Sequence, residues 1–335
     1  MTFEFANKNP TTVAITMQSV LLALLPGSLV FIYQTGWGSV INLTLAIASA
    51  LAFETLSQSL RKRPAKDVLA DYSAIVTAVL IALCLPPLLP WWMPVLASGF
   101  AILLAKQVFG GLGYNLFNPA MVGYAVLLIS FPGDLGLWLI QPDEFSLSLI
   151  ECIKVVFAGG LVAQPQWDAI TAATSLDLQR DLLLQGASRE NIATQTQGLF
   201  GAVHSEWVNL AYLAGGLYLW HKRVINWHIP LSFLATLSVC TLLHQWFISD
   251  TLFLSAQLFG GATMLCAFFI STDPVSAAAS NRGRIIYAAL TGLLVYLIRN
   301  YGAYPDSIAF AVLLANCTVP LIDRLNPWLY PQADE

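Results

Sequence analysis

Ten predominantly apolar runs, at about 14–34, 38–58, 73–89, 91–107, 118–132, 206–220, 228–247, 252–271, 284–299 and 306–322, punctuate the chain. Crossing a bilayer as a helix takes roughly 20 such residues, so the pattern predicts an all-α polytopic membrane protein of about ten spans. The fourth and fifth runs are separated by a glycine-rich stretch rather than a polar loop. One long polar interval, 133–205, parts the first five runs from the last five. The expected organisation is therefore an N-terminal membrane half (1–132), a loop domain (133–205) and a C-terminal membrane half (206–335).

Composition strengthens this picture. Of the residues, 57% are hydrophobic and only 10% are charged, where soluble proteins carry about 25%. A water-soluble fold of this length could not hide that much apolar surface. The net charge of −4, with no basic tail, gives no support to nucleic-acid binding. The five cysteines form no Cys-x-x-Cys pair, which argues against zinc or a cysteine-ligated cluster. His204, His221, His228 and His244 show no metal-ligand spacing. The first residues, MTFEFANKNPTT, lack the basic region and cleavage site of a signal peptide, so the first run is expected to stay as a helix.

Lys and Arg favour the cytoplasmic side of a membrane. With the N-terminus inside and every run crossing once, eleven of them fall inside, among them Arg61, Lys62, Arg63, Lys66, Lys222 and Arg223. Lys154, Arg180, Arg189 and Arg299 fall outside. This predicts both termini in the cytoplasm and 133–205 on the outer side. That loop is acidic, and its stretch Phe145–Val162 is expected to lie on or dip into the membrane. Glu54 and Lys106, at the cytoplasmic ends of runs two and four, are expected to be solvated and to snorkel to the interface, respectively. Lys106 has a second reading, as a cation beside a redox group.

Two segments echo each other 150 residues apart: Phe109-Gly-Gly, an apolar stretch and Asn118-Pro; then Phe259-Gly-Gly, an apolar stretch and Asp273-Pro. Matched glycine and proline breaks in two halves suggest an inverted internal repeat with broken helices. Backbone groups freed at a break must find protein, water, an ion or a ligand. Asn115, Asn118 and Asp273 sit at these breaks. They could bind a cofactor, line an ion route or simply cap helices. Asn316 and Asp323, in the last run, are expected to be structural.

The most informative stretch is Trp167-Asp-Ala-Ile-Thr-Ala-Ala-Thr174-Ser-Leu176 in the outer loop. It resembles the Asp-x-x-(Ser/Thr)-Gly-Ala-Thr flavinylation motif in membrane subunits of Rnf and sodium-pumping NADH:quinone reductase complexes. Asp168, Thr171, Ala173 and Thr174 occupy the matching places; Ala172 stands where the family usually has glycine. Further stretches resemble the Rnf member of that family over nearly the whole chain. They include Asp71-Tyr-Ser-Ala-Ile-Val, Leu85-Pro-Pro-Leu-Leu-Pro, Lys106-Gln-Val-Phe-Gly-Gly, Phe268-Phe-Ile-Ser-Thr-Asp-Pro and Phe310-Ala-Val-Leu-Leu-Ala-Asn.

The resemblance implies FMN joined by its phosphate to the Thr174 hydroxyl, installed by a dedicated flavin transferase, and a further non-covalent riboflavin. Asn115, Asn118 and Asp273 are candidates for that second flavin or for an ion route. It also implies a urea-transporter-like fold, partner subunits of the A, B, C, E and G type, and a bacterial inner-membrane location. The expected role is electron transfer between ferredoxin and NAD coupled to Na⁺ or H⁺ movement. A competing stretch, Gly260-Gly-Ala-Thr263, has Gln257 in place of the leading Asp and lies in an apolar run, so Thr263 is assigned to a helix break. A transporter or channel without redox work remains the alternative. It gives no account of the Asp168–Thr174 stretch.

Overall fold

The computed structural model describes residues 10–64, 69–139, 147–158, 171–248, 251–302 and 307–324. Contacts divide the chain into two compact units: one runs to Gly111 and resumes from Pro119 to Thr174, and the other takes Leu112–Asn118 and everything from Ser175 onward.

The first unit begins with α1 (Pro10–Thr35) and α2 (Trp37–Leu60), followed by α3 (Ser73–Cys84). Ala46 and Ala50 of α2 meet Ala74, Ala78 and Ala82 of α3, with Ile102 closing the cluster. Four-residue spacing puts these alanines on one face of each helix, and their small side chains let the two backbones approach closely. The run 73–89 is not one helix, because α3 stops at Cys84. Pro86, Pro87 and Pro90 follow, each without an N–H to continue the ladder. The non-helical stretch they create packs on the start of α2. Asn42 donates to the Pro86 carbonyl at 2.7 Å, and a methyl built on Gly38 would sit 2.5 Å from the Pro87 oxygen.

The next run starts as α4 (Trp92–Gly99) and continues as a π-helix over Phe100–Gln107. A wide turn of this kind often marks a functional segment. Glycines at 110, 111 and 113 then take φ of 124°, 105° and 93°, a region closed to most side chains. Helix α5 (Pro119–Ser130) opens on a proline, where a missing N–H costs nothing. Trp138–Leu139 (β1) pairs antiparallel with Thr171–Ala172 (β2). Between them lies α6 (Leu149–Ala158), inside the stretch expected at the membrane surface. Its start is a capping box: Ser148 N and Oγ both donate to Glu151 Oε2 at 2.8 Å. Those Ser148 bonds hold the exposed Glu151 carboxyl below its usual range. Cys152, Val155 and Val156 of α6 are buried against Leu88.

The second unit holds α7 (Ser175–Leu184), α8 (Arg189–Thr196), α9 (Glu206–His221), α10 (His228–Phe247), α11 (Leu254–Phe259), α12 (Asn281–Tyr301) and α13 (Ile308–Arg324). The run 252–271 is interrupted: α11 ends at Phe259, and after Gly260–Gly261 a turn at Thr263–Leu265 leads into a π-helix over Cys266–Ile270. Glycine again sets the helix spacing. A methyl on Gly292 of α12 would lie 2.6 Å from the Phe233 oxygen of α10.

Among the described residues, three helices are long and apolar enough to cross a membrane, Val13–Thr35, Trp37–Leu60 and His228–Phe247, while Ser73–Cys84 and Pro119–Ser130 are shorter apolar helices. Their outward faces carry exposed Leu22, Leu25, Leu29, Leu231, Leu242 and Leu243. An exterior of this chemistry needs a hydrocarbon solvent, and the chain is an all-α polytopic membrane protein.

Candidate functional site

Thr174 follows β2 and immediately precedes α7. The β pairing holds Thr171 opposite Leu139 and Ala172 opposite Trp138. On the other side, Ser175 Oγ donates to the Val203 carbonyl at 2.5 Å, and Leu176 is buried with Ala202 and Ala256. Ala173 is exposed and Thr174 half-buried. A short loop anchored on both flanks therefore places Thr174 at the N-terminal end of a helix. The N–H groups of a first helical turn and the positive end of the helix dipole make that a favourable place for a phosphoester. Asp168 lies outside the described residues.

The second Phe-Gly-Gly break is densely satisfied. Asn209 Nδ2 donates to the carbonyls of Gly261 (2.7 Å) and Phe259 (3.3 Å), and its Oδ1 accepts from Met264 N at 2.9 Å. Thr263 Oγ1 donates to the Gln257 and Gly260 carbonyls at 2.8 and 2.9 Å. Arg299, fully buried, donates to the Gln257 carbonyl at 2.8 Å and to Thr263 Oγ1 at 3.0 Å. Side chains have taken over the groups that the lost helical turn released. The buried Thr263 hydroxyl thus has the helix-break role expected from its place in an apolar run. A side chain at Gly260 would force the backbone to shift, since a methyl on it would meet the Ala256 oxygen at 2.1 Å. Gly260→Ala is expected to cost about 1–3 kcal/mol, read as a lower unfolding midpoint in detergent.

Asn115, Asn118 and Asp273 all fall in the second unit. Asn118 Nδ2 donates to the Ile270 carbonyl at the end of the π-helix, and its backbone N–H donates to Asn316 Oδ1, both at 3.1 Å. Asn316 donates in turn to the Ser276 carbonyl (3.0 Å) and to the Tyr287 hydroxyl (3.1 Å). Ser276 Oγ donates to Asp273 Oδ2 at 2.8 Å, and Val275 N donates to Asp273 Oδ1 at 3.3 Å. Asn118 and Asp273 thereby join one buried polar cluster through Asn316 and Ser276. Asn115 donates to the Phe117 carbonyl, while its buried Oδ1 has no hydrogen-bond partner among the described residues.

Two expectations are corrected in the first unit. Glu54 is not solvated, and Lys106 does not reach an interface; they are 0% and 1% exposed. Lys106 Nζ lies 3.0 and 3.1 Å from the two Glu54 oxygens and 2.7 Å from Ser73 Oγ. Gln107 Nε2 donates to Glu54 Oε1 at 2.5 Å and accepts at its own Oε1 from Gln58. The geometry explains the difference. Each charge lies near the end of an apolar run, where a lone charge would reach water, but both point inward and neutralise each other. Opposite charges in two apolar runs were the only hint in the sequence. Arg299, counted as an outer topology charge, is likewise buried. Among the described residues no group of three or more His, Cys, Asp or Glu could hold a metal.

A family model described as the NQR2, RnfD, RnfE family matches residues 5–328. A protein of Pectobacterium atrosepticum, named as the D subunit of an ion-translocating oxidoreductase complex, is 50% identical over 320 residues, covering 91% of this chain and 90% of that protein. One of the same name from an Escherichia coli strain is 48% identical over 320 residues, covering 92% and 91%.

Proposed function

Since the chain belongs to the NQR2, RnfD, RnfE family, we propose that it is the membrane subunit of an ion-translocating oxidoreductase complex and carries FMN on Thr174. The relatives' shared name supports the first part. The observation that carries the second is the placement of Thr174: half-buried, beside an exposed Ala173, and at the N-terminal end of α7. A transferase can reach such a hydroxyl, and the helix end favours the phosphate it leaves behind. The neighbouring Ala172 takes part in ordinary antiparallel pairing. That conformation does not demand glycine, which supports attachment despite the departure from the family pattern.

In this reading the flavin supplies one- and two-electron chemistry, and the chain supplies its position and electrostatic surroundings. The protein works only with the other subunits of its complex, those of the A, B, C, E and G type, and with a flavin transferase to load it. It sits in the bacterial inner membrane with both termini cytoplasmic and Thr174 on the outer side, coupling electron flow to Na⁺ or H⁺ movement. Asn115 and the Asn118–Asp273 cluster are the candidates for a non-covalent riboflavin or for part of the ion route. The unpartnered Asn115 Oδ1 favours a ligand there. Mass spectrometry of the native peptide spanning Thr174 tests the central assignment. The expected result is an added FMN on that threonine, and a peptide of unmodified mass would refute it.

A further inference from the structure

The two Phe-Gly-Gly stretches are put to different uses. At the first, a methyl built on Gly111 would meet only Gln107 Oε1, at 3.9 Å, so Gly111 answers to its φ of 105°; Gly261 at the second stretch also takes a positive φ, 53°. At the second, the missing side chains make a seat. A methyl on Gly260 would lie 3.1 Å from Leu176 Cδ2, and one on Gly261 would lie 3.1 Å from Leu176 Cδ1 and 3.2 Å from Arg299 Nη2. Both δ-methyl groups of Leu176 thus rest on bare backbone at the helix break. Leu176 is the one apolar side chain that α7 buries, and it stands two residues after Thr174.

We propose that Leu176 is a positioning residue for the cofactor. Seated on Gly260–Gly261, it fixes the first turn of α7, the helix that begins directly after Thr174, so that the group tethered there adjoins a turn that is held in place. This rests on the assignment of FMN to Thr174. The motif residues decide whether attachment occurs. Leu176 decides how firmly the attached flavin is held. The bond from Ser175 Oγ to the Val203 carbonyl adds a second tie at the same end of the helix.

The test uses the full-length protein in detergent, with Leu176→Ala and the conservative Leu176→Met. Expected for Leu176→Ala is unchanged FMN on the Thr174 peptide, lower fluorescence anisotropy of the bound flavin, and recovery of anisotropy in Leu176→Met. A second measurement is made in the Thr174→Ala background, free of any cofactor at that position. There, Leu176→Ala is expected to speed hydrogen exchange of the backbone over 171–184 about tenfold or more. Full FMN occupancy with unchanged anisotropy, or unchanged exchange in the Thr174→Ala background, overturns the positioning role while leaving attachment standing. Wild-type protein with unmodified Thr174 overturns the attachment and the positioning role together.

Discussion

Thr174→Ala is expected to abolish the flavin fluorescence of this chain on a denaturing gel and, with it, electron flow through the assembled complex. A denaturing gel strips every cofactor that is held only by packing, so what remains is covalent. The control is Thr263→Ala. It removes the hydroxyl of the rival Gly-Gly-Ala-Thr stretch and should leave the fluorescent band at full intensity, because that hydroxyl is buried and bonded to the Gln257 and Gly260 carbonyls. A band that survives Thr174→Ala would move the attachment elsewhere. Loss of the band in Thr263→Ala alone would reverse the choice between the two threonines.

The largest effect on stability is expected at Glu54. Removing its carboxylate in Glu54→Ala leaves the Lys106 ammonium buried, with Ser73 Oγ as its remaining acceptor in that network. Breaking one side of a buried pair costs about 3–5 kcal/mol, because the surviving charge has lost its partner and cannot reach water. Replacing both partners by apolar residues of similar volume removes the charge as well as the bond. The double variant Glu54→Leu/Lys106→Met should therefore be markedly more stable than Glu54→Ala. Thermal unfolding of wild type, each single variant and the double variant gives the coupling between the two sites. A Glu54→Ala protein as stable as the double variant would mean that the surviving Lys106 side chain carries no burial penalty, having reached water or given up its proton.

These two residues mark where the sequence is readable and where it is not. The membrane class was legible because burial against lipid constrains every outward position on helices such as α1 and α10. The breaks were legible too, since glycine and proline act locally. Pro86, Pro87 and Pro90 show how far that local logic reaches: they sit inside a run apolar enough to span, and only the backbone shows that α3 has already ended at Cys84. Thr174 could be found because its motif is contiguous. The Glu54–Lys106 pair could not, because its members stand 52 residues apart and hydropathy does not record which way a side chain points. Arg299 was hidden for the same reason, its partners Gln257 and Thr263 lying across a helix break. The Asn118–Asn316–Ser276–Asp273 cluster combines the two cases. Each residue is conspicuous alone, and only the fold joins them.

That cluster has a consequence for biogenesis. The Asn118 backbone N–H finds its acceptor in Asn316, 198 residues later in the chain. At ordinary synthesis rates of about 5–20 residues per second, roughly 10–40 s separate the emergence of the two partners from the ribosome. For that interval the segment 112–118, already inserted, awaits neighbours that have yet to be translated. Until the last helix arrives, the Asn118 amide must be satisfied by another acceptor, such as water. A chain truncated before α13 never supplies the Asn316 acceptor, and is expected to accumulate to a lower level than the full chain on an immunoblot of membranes.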